Sequence, residues 1–113
     1  MSTLQTIELI AHGEPSLILK AAGGSVTINP LRPVVMGCGE TLEPVGEVHD
    51  DIECNVLTLD DGQARVVLIG IDALYPGPEL RRYLDERFRG ILSPDQIFLA
   101  ASHTHSAPQL DST

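Results

Sequence analysis

Residues 64–105 carry the clearest structural pattern of the chain and read ARVVLIGIDALYPGPELRRYLDERFRGILSPDQIFLAASHTH. Short apolar runs at 64–71 and 97–102 are typical of buried strands. Between them, apolar residues recur at helical spacing, Pro78 suits the first turn of a helix, and Gly90 suits its end. The pattern predicts strand, helix and strand, and a right-handed crossover of this kind makes the two strands parallel.

A hairpin is predicted immediately upstream. Residues 52–59, IECNVLTL, alternate in the manner of a strand, and DDGQ separates them from the apolar run at 64–71. An Asp-Gly pair between two such runs indicates a turn, because Gly62 can adopt the positive φ that the turn requires. The two strands should pair antiparallel, and the second, almost wholly apolar, should be buried on both faces.

Farther upstream, GSVTIN at 24–29 predicts a short strand that ends before Pro30. Residues 34–51, VVMGCGETLEPVGEVHDD, show no sustained period and predict a long loop. Loops of more than about a dozen residues often carry function. The predicted fold class is α/β, with a small mixed β-sheet, a hairpin and a right-handed β-α-β crossover.

Composition restricts the class of protein. The 113 residues fit one globular domain, with 42% hydrophobic and 20% charged residues. The net charge of −9 with only seven Lys and Arg excludes a nucleic-acid surface. We expect no transmembrane segment and, because no signal peptide is visible, a cytoplasmic location, although secretion or membrane association stays open. Cys38 and Cys54 match no compact zinc pattern and are expected to be free thiols.

Polar residues follow both of the strands predicted to be parallel. Asp72 comes directly after the first apolar run, and His103 comes after the second. Ligands of open α/β sheets bind at this carboxyl edge, so Asp72 and His103 could share a ligand. Alternatively, Asp72 caps the turn that follows it or accepts backbone N–H groups.

Two histidines, His103 and His105, stand two residues apart in SHTHSAP. On an extended chain both rings would lie on one face, about 6 to 7 Å apart at the backbone. They could then bracket a zinc ion, which accepts nitrogen ligands. Two ligands do not complete a zinc site, so the alternative is a pair of loop histidines bonded to backbone and water. His49, in EVHDD, could likewise face a site or be a solvated loop residue.

Several segments match a known family in order along the chain: AAGGSVTINP, VVMGCGE, GEVHDDIECNVLTLDDGQARVVLIGID and FLAASHTHSAP. Together they resemble the N-terminal catalytic domain of the neutral/alkaline non-lysosomal ceramidase family. The resemblance covers about residues 19–108, and its most specific part, SHTHSAP, is similar to the family's His-Thr-His-Ser-Gly-Pro. It implies that 1–18 are an N-terminal extension and that 19–113 are the N-terminal part of a larger layered α/β catalytic domain.

The resemblance also implies an activity, that of a zinc-dependent amidohydrolase that cleaves the N-acyl bond of ceramide or a related N-acyl substrate. The cofactor would be Zn²⁺ and the substrate a small-molecule or lipid amide. His103 corresponds to a zinc ligand, and His105 and His49 correspond to catalytic residues beside the reacting amide. A substrate-binding role is implied for three further residues, Gly37, Gly39 and Asp72.

The match is incomplete in two respects. Ala107 replaces the glycine of the family motif, which leaves the substrate open. The family's other zinc ligands, a histidine, a glutamate and a tyrosine, lie well beyond the pair, so we expect this chain to be truncated and inactive alone. The alternatives are a non-catalytic α/β remnant or interaction module that retains the fold, and a different metal hydrolase that shares the pair. The sequence gives no indication of the oligomeric state.

Overall fold

The structure is a computed structural model that describes residues 3–10, by backbone alone, and residues 18–36 and 44–110. Its main feature is a mixed sheet in which five strands lie in sequence order. These strands are β1 (Thr3–Ile10), β2 (Ile18–Thr27), β3 (Glu53–Asp60), β4 (Arg65–Ile71) and β5 (Ile97–Ala101). Strands β1 to β4 pair antiparallel, and β5 pairs parallel to β4. The predicted small mixed α/β fold is confirmed.

The connection from β4 to β5 contains helix α1 (Pro78–Arg87) and a 3₁₀ turn (Pro94–Gln96). Helix α1 begins at Pro78, as predicted, and Gly90 beyond its end has a φ of 82°. No helix in the described parts of the chain is long and apolar enough to cross a membrane. The handedness of the crossover and the larger layered domain stay predictions.

Two strands differ from the prediction, because β2 starts earlier than predicted and β1 was not predicted. β2 begins at Ile18 instead of residue 24, and β1 lies within residues 1–18, which the resemblance assigns to an extension. β1 pairs antiparallel with β2. The start of β2, ILKAAGG, contains Ala and Gly residues of low strand propensity. Its pairing with the neighbouring strands therefore outweighs its local preference.

The predicted hairpin is confirmed. β3 and β4 pair from Cys54 opposite Ile71 to Asp60 opposite Arg65. Gly62 in the turn has a φ of 91°, in the left-handed region that favours glycine. The turn therefore fixes the register of the two central strands.

Asp61 provides a test of this turn. The N–H groups of Ala64 and Gln63 hydrogen-bond its carboxylate and lower its pKa below the ordinary value of 3.8. A lowered folded-state pKa means that the ionised group stabilises the fold above about pH 4 and that this stabilisation disappears as the pH falls through the pKa. We expect Asp61→Asn to melt below the wild type at about pH 6 and the gap between the two melting temperatures to be smaller at about pH 3, below the ordinary pKa of 3.8. An equal gap at both pH values would contradict this account.

The core lies between the sheet and α1. Among the described residues, the central cluster of buried side chains consists of Val67, Ile69, Leu92 and Ile97. Packed against them are Leu84 and Phe88 from α1 and its end, Cys54 from β3 and Leu99 from β5. Because side chains alternate along a strand, these strand residues share the sheet face that α1 covers. The hydrophobic contacts that fix β5 are therefore made on one face only.

The other face of the sheet is exposed. Leu57, Leu68 and Phe98 stand in one row across β3, β4 and β5, and Phe98 has 52% of its surface exposed. The prediction that β4 is buried on both faces is therefore wrong for the described residues. The reason is that α1 packs against one face, and no other described element covers the second.

Arg81 connects α1 to the start of β5. Its guanidinium donates hydrogen bonds to the backbone carbonyls of Ile97 and Pro94. It also pairs with Asp85, one turn farther along the helix, at 3.0 Å between Nη2 and Oδ1. These bonds set the position of β5 along the sheet, and with it the position of the histidines that follow β5.

Candidate functional site

The loops after β4 and β5 leave the sheet side by side. The N–H of Ser102 donates a hydrogen bond to the carbonyl of Ile71, with N and O 3.0 Å apart. This contact follows from the parallel pairing of the two strands. The predicted juxtaposition of the residues beyond them at the carboxyl edge is thus confirmed at the level of the backbone.

His103 is fixed by the loop that follows β4. Its Nδ1 lies 2.9 Å from the carbonyl oxygen of Leu74. A carbonyl oxygen can only accept a hydrogen bond, so Nδ1 carries the proton, and in the neutral ring Nε2 bears the lone pair. The ring is also in edge contact with Tyr75, with centroids 5.3 Å apart. His103 therefore presents Nε2 as its available nitrogen.

His103 and His105 form a pair of exposed imidazoles, here called the histidine pair. Their ring centroids lie 5.2 Å apart and their planes are inclined by 87°. The prediction of an extended chain is wrong at this point, because His103 has a φ of 64°, in the left-handed region. The rings nevertheless come together. A centroid distance of 5.2 Å at this angle is that of an edge-to-face ring contact.

The histidine pair offers two nitrogen donors to a metal. Within residues 18–36 and 44–110, no three His, Cys, Asp or Glu side chains cluster closely enough to hold a metal ion. Structural zinc sites use four protein ligands and catalytic ones use three with an open position. The pair therefore fits part of a zinc site, and its neutral imidazole nitrogens suit zinc better than magnesium or calcium, which prefer oxygen ligands.

Asp72 has a backbone partner. Its Oδ2 accepts a hydrogen bond from the N–H of Glu53 at 3.0 Å, and its own N–H donates to the carbonyl of Glu53 at 3.0 Å. The alternative interpretation, in which Asp72 accepts backbone N–H groups, is therefore confirmed. Asp72 joins the end of β4 to the start of β3, and it also lines a cavity.

This cavity has a volume of about 470 Å³ and lies between the segments 29–36, 45–52 and 104–108. Its lining includes His49 and Asp72, together with Thr104 and Ser106 from the histidine motif. The two residues of the histidine pair are not among the described residues that line it. The predicted site residues therefore lie in two places: His103 and His105 form the histidine pair, and His49 and Asp72 line the cavity.

His49 lies at the open side of the cavity. Its side chain is 98% exposed, and its Nδ1 lies 3.0 Å from Oδ2 of Asp50. Gly37 and Gly39, predicted to bind substrate, lie outside the described residues, as does Cys38. Cys54 is a free thiol, and partial burial raises its pKa.

The predicted long loop contacts the histidine motif. The N–H of Gln109 donates to the carbonyl of Val35 at 2.9 Å, and Met36 forms an isolated bridge with Pro108. The sequence indicated that this loop was functional but contained no signal for its partner, because the paired residues are more than seventy positions apart. The described ends of the loop therefore form one wall of the cavity.

Sequence reasoning also missed Leu74, Tyr75 and Asn29. Asn29 joins β2 to the start of β3: its Oδ1 accepts from the N–H of Ile52 at 2.9 Å, and its Nδ2 donates to Asp51 at 2.7 Å. An Asn before a proline indicates a turn, but nothing local identifies such distant partners.

Comparison of the chain with protein-family models, curated proteins and solved structures found no match.

Proposed function

We propose that this chain forms part of the catalytic domain of a zinc-dependent amide hydrolase, in which His103 binds the metal through Nε2 and His105 acts on the reacting amide. The observation that supports this most directly is the hydrogen bond from His103 Nδ1 to the carbonyl of Leu74. Metal-binding histidines usually donate their second ring N–H to such an acceptor. The substrate class, ceramide or a related N-acyl amide, comes from the resemblance to neutral/alkaline ceramidases.

The geometry of the histidine pair is consistent with this role. The two rings are in edge-to-face contact, with centroids 5.2 Å apart, so a substrate held by an ion on His103 would lie beside His105. The resemblance supplies the same division, with the ion on His103 and the reacting amide beside His105. The proposal takes the remaining zinc ligands, a histidine, a glutamate and a tyrosine that lie well beyond the pair, from the resemblance as well.

The chemistry divides between the metal and the second imidazole. When bound, zinc polarises the amide carbonyl and activates water. His105 is placed to protonate the leaving nitrogen or to donate a hydrogen bond to the developing oxyanion. Both rings of the pair are exposed, so a substrate can reach them without displacing the core.

The cavity is the proposed place for the rest of the substrate. Apolar side chains, among them Val34, Met36 and Val48, line it together with the polar Asp72 and Ser106. A mixed lining of this kind suits an amphipathic ligand such as a lipid amide. Asp72 keeps its proposed substrate-binding role at this position, beside the backbone of β3.

An amide-hydrolysis assay tests the proposal. We expect the full-length, zinc-loaded protein to cleave a ceramide or a simpler N-acyl amine, to lose activity with a chelator, and to regain it with added zinc. His105→Ala should retain zinc but lower kcat by about 100-fold, because general acid–base groups typically contribute at least that factor. Failure of the zinc-loaded protein to cleave any N-acyl amide would overturn the proposal and favour the non-catalytic α/β module.

A further inference from the structure

The segment between β4 and α1 contacts His103 at two points. Leu74 provides the carbonyl oxygen that accepts from Nδ1, at 2.9 Å. The next residue, Tyr75, places its ring 5.3 Å from the His103 ring, with the planes inclined by 66°. Two adjacent residues thus restrain one imidazole, 28 to 29 positions farther along the chain.

Tyr75 does not contribute to the core. Its surface is 66% exposed, and it is absent from the described cluster of buried residues and their packing partners. Its ring contact with His103 is edge-to-face, an arrangement that aromatic rings prefer. An exposed tyrosine in this position therefore acts mainly on the imidazole beside it.

The backbone of His103 explains why such restraint is needed. A φ of 64° is uncommon for residues other than glycine, and such conformations persist where the surroundings fix them. The His103 ring contacts both the Tyr75 ring and the His105 ring. Rotation of the ring away from Leu74 would break the hydrogen bond and the contact with Tyr75 together.

We propose that Tyr75 is a positioning residue for His103: with the carbonyl of Leu74, it holds the imidazole as the Nδ1–H tautomer and directs Nε2 to a metal ion. This inference deepens the proposed function and rests on it as far as the metal is concerned. The tautomer and the ring orientation, however, are properties of the metal-free protein. They can be measured without zinc.

The experiment compares Tyr75→Ala with its matched control, Tyr75→Phe, in the full-length protein. In metal-free protein at about pH 8, where histidine side chains are ordinarily neutral, ¹⁵N shifts of the His103 ring report the tautomer. We expect a single Nδ1–H tautomer in the wild type and Tyr75→Phe, and averaging between tautomers in Tyr75→Ala. Competition with a zinc chelator should show affinity about 10-fold lower for Tyr75→Ala and within about 2-fold of wild type for Tyr75→Phe.

The possible outcomes separate the two proposals. A single tautomer in Tyr75→Ala would overturn the positioning role, as would an equal loss of zinc affinity in Tyr75→Phe, which keeps the ring. A wild-type protein that binds no zinc would overturn the proposed function, while the ¹⁵N measurement would still decide whether Tyr75 orients the ring. Melting temperatures of both variants should equal that of the wild type within about 3 °C, since exposed substitutions change stability little.

Discussion

Replacing His103 with asparagine is expected to lower the affinity of the full-length protein for zinc by more than about 100-fold, because loss of an outer-shell partner alone typically costs 10- to 100-fold. Asparagine removes the imidazole but tolerates the left-handed backbone, with its φ of 64°. The fold should therefore survive the loss of the ligand. Chelator competition measures the affinity, and circular dichroism shows whether the fold is kept.

Two further variants complete this experiment. His103→Ala should lose zinc to the same extent but melt lower than His103→Asn, because alanine in the left-handed region costs about 1 to 2 kcal/mol. His49→Ala removes an exposed histidine that contacts Asp50 and should keep the wild-type zinc affinity. Wild-type zinc affinity in His103→Asn, or an equal loss in His49→Ala, would show that His103 is not the ligand.

Ile97→Ala is expected to destabilise the protein by about 2 to 5 kcal/mol, the usual range for removing a buried isoleucine to Cβ. Ile97 is 3% exposed and packs with Val67 and Ile69 beneath α1. Small domains are stable by about 5 to 15 kcal/mol, so the loss is a large part of the total. The free energy of unfolding, measured by urea denaturation, gives the result.

Ile91→Ala is the matched control for this prediction. The same atoms are removed from a side chain that is 69% exposed and lies just beyond α1. Its effect should stay within about 0.5 kcal/mol, as for other surface substitutions. Equal losses in the two variants would mean that the interface between α1 and β5 is not the core of the fold.

The central part of the fold could be predicted because its signals are local. The Asp-Gly turn at Gly62 and the helix start at Pro78 each act within a few residues, and both lie where they were predicted. The full length of β2 could not be predicted, because its first half pairs with β1, a strand that was itself not predicted, and with the end of β3, which is distant in sequence. The exposed row of Leu57, Leu68 and Phe98 was missed because an apolar pattern alone does not show which face is covered.

The candidate site was predictable in part. The sequence located His103 at the end of a strand and Asp72 at the end of its parallel neighbour. It could not show that Asp72 turns toward β3, or that the backbone of His103 is left-handed. Both features arise from hydrogen bonds to groups about 19 to 29 residues away, which no local pattern encodes.

The left-handed backbone of His103 also bears on how this sequence can diverge. Histidine and asparagine codons differ by a single base, and asparagine is among the few residues that accept this conformation readily. One point mutation could therefore remove the imidazole and leave the β4–α1–β5 unit intact. A descendant with asparagine at this position would keep the architecture and lose the imidazole on which the proposed zinc site depends.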